Sequence, residues 1–277
     1  MPMLKEVLVG ILDAREIEDL TSSFDVIGDI AIIKIPDSLE SKEVLIAEQI
    51  LARMKNVNTV LKQTSDVLGE YRIREVKFVA GEEKYETIYR ESNCALRVNV
   101  RSVYFSPRLS TERIRIASLV QSGEKIFNMF AGLGTFSFVI AKTKESAIDS
   151  VDKNPEAIRL ALETLKLNRR MKGTVRPILA DAREFAARNR GSYNRILMPL
   201  PERAPEFVDS ALESASHGAM IHYYVHVPLS DYKDGRWIHN HLDGVIQGRA
   251  EYSVNNWKRV REVGPRYVQA VADIRLK

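Results

Sequence analysis

The residues best placed to do chemistry in this chain are the run Phe130-Ala131-Gly132-Leu133-Gly134-Thr135-Phe136 and, some twenty residues on, Asp152-Lys153-Asn154-Pro155. Two close glycines let backbone approach a ligand, and a carboxylate at the end of the next strand accepts hydrogen bonds from ribose hydroxyls. The chemistry this implies is capture of a nucleoside cofactor. A dinucleotide site needs G-x-G-x-x-G so that a helix N-terminus faces a pyrophosphate. Here Thr135 and Phe136 follow the second glycine and the third glycine is missing. S-adenosylmethionine carries no phosphate and is therefore the cofactor the pattern favours. A plain strand-to-helix turn with an exposed aspartate is the simpler use of the same residues.

Such a pocket needs parallel strands to hold it. Lys125 to Met129 reads as the strand feeding the glycine turn, and Ala147 to Val151, Val175 to Leu179, Asn194 to Met198 and Ala219 to Tyr224 read as strands after it. Helices are expected at Ser110 to Leu119 with Ser110 as cap, Phe136 to Lys142, Pro155 to Leu167, Ala182 to Arg188 and Ala204 to Ser214. Gly248 to Val254 and Val268 to Arg275 have strand-like content. Parallel units closed by an antiparallel hairpin predict an α/β, class I methyltransferase-like (Rossmann-type) sheet. Before it, a turn and strand within Phe24 to Pro36, a helix over Ser41 to Met54 capped by Ser41, and strands at Val57 to Lys62, Arg74 to Ala80, Glu86 to Glu91 and Ala95 to Val100 predict a smaller α+β domain. The expected division is a leading segment at 1–21 with helix inside Leu4 to Leu20, the small domain at 22–103, and the catalytic domain at 104–277.

At 277 residues, 45% hydrophobic and 28% charged, the chain is long enough for two cores and has the composition of a soluble globular protein. It shows no apolar run of membrane-span length and no signal-peptide pattern. Cys94 is the single cysteine. It has no internal disulfide partner, which suits a reducing cytoplasm, and it reads as a small buried strand residue. The formal charge of +4 permits a polyanionic partner without requiring one. Arg72, Arg74, Arg90, Arg97, Arg101, Arg108, Arg113 and Arg115, with Lys166, Arg169, Arg170 and Lys172, concentrate the positive charge and lean toward RNA. Trp237 and Trp257 are either packing residues or base-stacking platforms, and His222 reads as a structural strand residue. No Cys/His cluster has metal-ligand spacing.

Tyr104-Phe105-Ser106-Pro107-Arg108-Leu109-Ser110-Thr111-Glu112-Arg113, then Met129-Phe130-Ala131-Gly132, Asp152-Lys153-Asn154-Pro155, Leu200-Pro201 and Ile221-His222-Tyr223-Tyr224 follow one another in order. Together they resemble the archaeal and eukaryotic tRNA guanine-37 N1-methyltransferases, and share much with the aminocarboxypropyl transferases of the wyosine pathway. The likeness runs from about Ser22 to the C-terminus. It implies a tRNA methyltransferase using S-adenosylmethionine, with the tRNA anticodon stem-loop as partner. Composition adds the expectation of a cytoplasmic protein with no membrane partner, and a monomer is favoured with the oligomeric state left open. The likeness also implies Glu112 as the general base that removes the guanine N1 proton, and Arg72, or failing it Arg74, as the arginine facing charge on O6. Arg113 matches the arginine near the methionine portion, Asp152 with Lys153 the ribose contact, and Asp181-Ala182 the adenine contact.

Several positions depart from that pattern. Where the family usually has Asn-Leu-Pro, this chain has Met198-Pro199-Leu200-Pro201, so Pro199 offers a carbonyl in place of an amide. Thr135 replaces a common proline and Asn128 a common aspartate, and the expectation is a chain without the extra N-terminal domain of many members. N1 methylation of guanine 37 is the expectation. Aminocarboxypropyl transfer or ring-carbon methylation on a wyosine precursor, and tRNA binding without catalysis, are the alternatives.

Overall fold

Leu4, Val7, Leu8, Leu12 and Leu20 share one core with Ala31, Ile33, Ile46, Ala47, Ile50 and Val60, so the leading residues pack as part of the first unit. The computed structural model describes residues 4–20, 24–65, 69 and 71–277. It divides into Met1–Glu91 with Ala95–Pro107, and Ser92–Cys94 with Arg108–Lys277. The boundary expected between residues 21 and 22 lies outside the described residues. The other break falls between Pro107 and Arg108 rather than at 103/104, inside the Tyr104–Arg113 run.

In the first unit, two short helices, α1 (Leu4–Val7) and α2 (Ala14–Asp19), precede β1 (Asp25–Ile27), β2 (Ile30–Ile33), α3 (Glu43–Arg53), β3 (Thr59–Gln63) and β4 (Val76–Gly81). β1 to β4 are neighbours in one sheet in that order, with β2 and β3 parallel, while β5 (Glu86–Glu91) and β6 (Cys94–Asn99) pair separately. Asp13 starts α2 with a full capping box: its side chain takes the Arg15 and Glu16 amides while Glu16 takes the Asp13 amide. Ser41 does not cap α3. It lies within a 3-10 turn over Asp37–Lys42 that runs straight into the helix. That turn leaves no break in the backbone ladder for a serine hydroxyl to fill.

In the second unit, α4 (Ser110–Leu119), β7 (Glu124–Asn128), α5 (Thr135–Thr143), β8 (Ser146–Asp152), α6 (Pro155–Leu167), β9 (Thr174–Leu179), α7 (Ala182–Ala187) and β10 (Tyr193–Met198) alternate. There follow α8 (Val208–Ser214), β11 (Ala215–Pro228), α9 (Leu229–Asp234), α10 (Arg236–Ile246), β12 (Tyr252–Gly264) and β13 (Tyr267–Leu276). The strand order is β12-β13-β11-β10-β7-β8-β9. β9, β8, β7, β10 and β11 run parallel, and β13 is inserted antiparallel between β11 and β12. This is the expected class I methyltransferase-like sheet.

Local chemistry sets the element ends. Asn154 caps α6 by accepting the Glu156 amide, with Pro155 at the first helical position where its missing N–H costs nothing. Ser110 is not a cap: a 3-10 turn at Pro107–Leu109 carries the chain directly into α4, and no side chain caps it. β11 is 14 residues long, well beyond the expected Ala219 to Tyr224, because β10 pairs with it at Ala215 and β13 from Met220 through Pro228. α9 and α10 were not anticipated, although Ile238, Leu242 and Ile246, all buried, have the spacing of one helix face. Trp237 stacks on Trp257 at 6.2 Å and on His241 at 4.5 Å, so the tryptophans pack against the protein itself. Cys94 is buried, its thiol on the Phe138 carbonyl at 3.4 Å. Among the described residues no helix is long and apolar enough to cross a membrane, and no group of three or more His, Cys, Asp or Glu is arranged for a metal ion.

Candidate active site

The turn after β7 can be made only with glycine. Gly132 and Gly134 have φ of 55° and 88°, in the left-handed region, and a Cβ on Gly134 would lie 3.0 Å from the Phe138 ring and 3.3 Å from Ser150 Oγ. The Gly134 amide donates to the Ala131 carbonyl at 2.8 Å, and the Phe138 amide donates back to Gly134, opening α5. Ala131, itself buried, donates to the Val151 carbonyl of β8 at 3.0 Å, which locks the turn to the neighbouring strand.

Asp152 ends β8 beside that turn. Its Oδ2 accepts the Gly132 amide at 2.7 Å and its Oδ1 the Asn154 amide at 2.9 Å. Burial pushes its carboxyl above the usual range despite those donors and the Lys153 amide. A carboxylate has about four acceptor sites, so one held this way keeps capacity for a further hydroxyl. The Lys153 side chain is on the surface.

The remaining cofactor candidates lie at the same edge. Phe130 meets Phe207 edge-on at 4.7 Å, and the Arg183 guanidinium covers the Phe207 ring at 4.0 Å. Ala182 is buried, and Asp181 caps α7 by accepting the Arg183 amide at 2.8 Å. Pro199 follows the last residue of β10 and is half-buried. Phe130 to Gly132, Asp152, Asp181 and Pro199 thus sit at the carboxyl ends of β7, β8, β9 and β10, where the chain order reverses across the sheet and open α/β folds bind ligands. Asn128, at the end of β7, is fully buried, donates to Ser137 Oγ at 3.1 Å, and leaves its Oδ1 without a partner.

Glu112 is on the first turn of α4 and is 5% exposed. Arg115, one turn on, grips it with Nε on Oε2 and Nη2 on Oε1, both at 2.8 Å, and the buried Tyr224 hydroxyl donates to Oε1 at 2.7 Å. Burial and the adjacent Glu112 carboxylate hold the Tyr224 hydroxyl protonated, its pKa well above the ordinary value. The Tyr224 ring packs against Phe136, two residues past Gly134, with centroids 6.0 Å apart. One tyrosine therefore touches both the carboxylate and the start of the helix that leaves the glycine turn. Arg113 is 1% exposed.

The arginines divide in a way their spacing does not show. Arg113 and Arg115 face inward, which removes them from any RNA-gripping surface. In the first unit Arg74 is tied to Asp25 at 3.0 Å and to the Phe105 carbonyl at 3.3 Å. Arg72 has φ of 54° and lies over the Tyr104 ring at 4.5 Å. Sequence reasoning does not single out Tyr224, Arg115 or Phe207 as site residues. The i,i+3 spacing of Glu112 and Arg115 is the one local signal that could have drawn attention to any of them.

Residues 87–233 match the TRM5/TYW2 methyltransferase domain and residues 4–84 the TYW2 N-terminal domain. The chain is similar to the tRNA (guanine(37)-N(1))-methyltransferase Trm5b of Pyrococcus abyssi, with 44% identity over 76% of this chain and 62% of that protein. It therefore spans about three fifths of that relative's length. It is also similar to the tRNA 4-demethylwyosine(37)-methyltransferase Taw21 of Saccharolobus solfataricus, 33% identical over 87% of this chain and 92% of the relative. The crystal structure of Pyrococcus horikoshii TYW2 in complex with MeSAdo superposes with a TM-score of 0.81 at 25% identity, covering 99% of this chain and 97% of that one.

Proposed function

The chain belongs to the TRM5/TYW2 methyltransferase family, and from that premise we propose that it transfers a methyl group from S-adenosylmethionine to N1 of guanine 37 in tRNA. The observation that carries the reading is Tyr224, whose hydroxyl holds Glu112 while its ring packs on Phe136 beside the glycine turn. A proton acceptor and a nucleoside-type pocket are thereby coupled through one side chain.

The donor set fits this cofactor. Strand-end carboxylate, glycine backbone and apolar wall suit ribose, amino-acid and adenine portions, and nothing in the turn is built for a pyrophosphate. Asp152 takes the ribose hydroxyls, with Lys153 beside it. Phe130, Ala131, Gly132 and Gly134 shape the pocket floor, Asp181 and Ala182 border adenine, Arg113 serves the methionine portion, and Pro199 contributes only its carbonyl. S-adenosylmethionine bound there supplies an electrophilic methyl group on a sulfonium centre. Glu112 accepts the N1 proton, leaving the nitrogen pair free to attack, and Arg72 balances charge that develops on O6. The small unit serves the RNA and the larger one the chemistry. The anticodon stem-loop is the segment bound, by a monomer in the cytoplasm.

A second reading, methylation of a wyosine precursor at the same position, is favoured by the near full-length match to Taw21 and by Pro199 in place of the family amide. Incubation with unmodified tRNA transcript and labelled cofactor, followed by nucleoside mass spectrometry, decides between them. The proposal expects 1-methylguanosine and S-adenosylhomocysteine. Methylthioadenosine, or product only from tRNA already carrying 4-demethylwyosine, would replace it with the second reading or with aminocarboxypropyl transfer. Bound tRNA with no cofactor consumed would leave a binding protein.

A further inference from the structure

Beneath Glu112 runs a ladder of polar side chains that the reaction as described does not use. Arg115 bridges Glu112 to Asp273 of β13, with Nη1 on Oδ2 at 2.7 Å and Nη2 on Oδ1 at 3.2 Å. His222 Nδ1 lies 2.6 Å from Asp273 Oδ1, and Asn256 Nδ2 donates to Oδ2 at 3.0 Å. His222 Nε2 faces Arg195 Nη1 at 2.6 Å, and Arg195 is bound in turn by Glu124 at 2.6 and 2.9 Å. A guanidinium only donates, so Nε2 of His222 must accept and Nδ1 carries the proton. The imidazole is therefore neutral, in keeping with its full burial, which lowers its pKa.

This wiring makes the two carboxylates on Arg115 unequal. Asp273 accepts from Arg115 twice, from His222 and from Asn256, which fills its acceptor sites and holds its carboxyl far below the usual range. Glu112 accepts from Arg115 twice and from Tyr224, and Oε2 receives only one of those bonds. One lone pair on Oε2 remains open. With Glu112 and Asp273 ionised and Arg115 cationic, the trio carries one net negative charge. A proton arriving on Glu112 brings it to zero and leaves Arg115 still paired with Asp273, so no buried charge is stranded.

We infer that Asp273, acting through Arg115, is the counter-ion that allows Glu112 to take up the guanine N1 proton, which makes Asp273 and Arg115 positioning residues for the base. The inference rests on the proposed role of Glu112. The proton leaves N1, whose electron pair stays on the nitrogen for the new bond, and arrives on Oε2. The groups facing the trio are Tyr224 and His222 of β11, Asn256 of β12, Arg195 of β10 and Glu124 of β7, and of these His222 and Tyr224 remain neutral throughout.

The test is the pH dependence of kcat, measured on the full chain with tRNA and cofactor saturating, for Asp273→Asn. Without the Asp273 charge, protonating Glu112 would strand Arg115. Glu112 becomes a weaker base: kcat falls about tenfold and the acid limb moves down by about one pH unit, while the KM values for tRNA and cofactor stay within about twofold. In a Glu112→Gln background the same change should cost no further activity, since the charge acts only through that carboxylate. A superimposable kcat–pH profile, or full additivity with Glu112→Gln, overturns the inference. If Asp273→Asn does not fold, Arg115→Lys carries the test. A point charge cannot span both carboxylates, so the acid limb should move to higher pH, and an unmoved limb overturns the inference equally. A Glu112→Gln enzyme with wild-type rate would instead sink the proposed base itself.

Discussion

Two carboxylates in the second unit are held in contrasting ways. Asp152 is fixed by the backbone amides of Gly132 and Asn154, groups within about twenty residues of it. Glu112 is fixed by side chains, Arg115 on its own helix and Tyr224 from a strand 112 residues later, with Asp273 supporting Arg115 from 158 residues away. Backbone donors present a fixed receptor that needs no rearrangement when a hydroxyl arrives, which suits binding. Side-chain charges arranged as a nearly compensated set respond to a change of protonation, which suits proton transfer. The contrast is between a carboxylate held by backbone amides and one held by side chains.

The contrast breaks most visibly at Glu112. Glu112→Gln should lower single-turnover methyl transfer by ~100-fold, the usual scale for a general base, with cofactor affinity by calorimetry nearly unchanged. A mutant that loses cofactor binding instead would show that both carboxylates serve recognition. At Asp152 the expectation is reversed. Replacing it with Asn removes charge-assisted hydrogen bonds worth ~1.5–3 kcal/mol, so cofactor affinity should fall roughly 10- to 100-fold while kcat at saturating cofactor changes little. An unchanged dissociation constant would take Asp152 out of the pocket.

The backbone side sharpens further at Gly134. An alanine there must adopt φ of 88° and press on the Phe138 ring, at a cost of ~1–2 kcal/mol for the left-handed conformation alone. The melting temperature should drop by ~2–4 °C or more in scanning calorimetry, and an unchanged melting curve would mean that the turn relaxes freely. The smallest effect belongs to His222. Its folded pKa is depressed by burial, so just below ~6.5 the unfolded chain binds a proton that the folded one does not. Stability is therefore full above that pH and declines as pH falls toward the folded pKa. Denaturant titrations of His222→Gln should lose this slope, leaving the separate loss near the carboxylate range that comes from Asp273, whose pKa is lowered.

How much was legible follows the same division. α6 matches the element expected from the sequence at both ends, because its proline start and the apolar rhythm of Ala157, Ile158, Leu160 and Ala161 are local information. The turn and its carboxylate were legible because a positive φ demands glycine within a few residues of where the strand stops. The caps at Ser41 and Ser110 were misread because a serine before a helix looks the same whether the chain enters through a cap or through a 3-10 turn. Arg115 looked like surface charge because a guanidinium carries no sign of burial until its carboxylate partners, here Glu112 and Asp273, are placed around it. Trp237 and Trp257 found their stacking partners in each other and in His241, a contact across separate elements.

By itself the chain of residues determined the class I methyltransferase-like sheet, the nucleoside-type turn, and the motifs that tie it to its family, because each is written within a short stretch whose dihedral and periodicity demands are local. Only the tertiary structure decided that Glu112 shares its guanidinium with Asp273 and takes its hydroxyl donor from β11, that the tryptophans stack on rings of the protein, and that Arg113 is interior. Those contacts join residues far apart in sequence, and whether a charge is buried, paired or free depends on which distant groups the sheet order brings beside it.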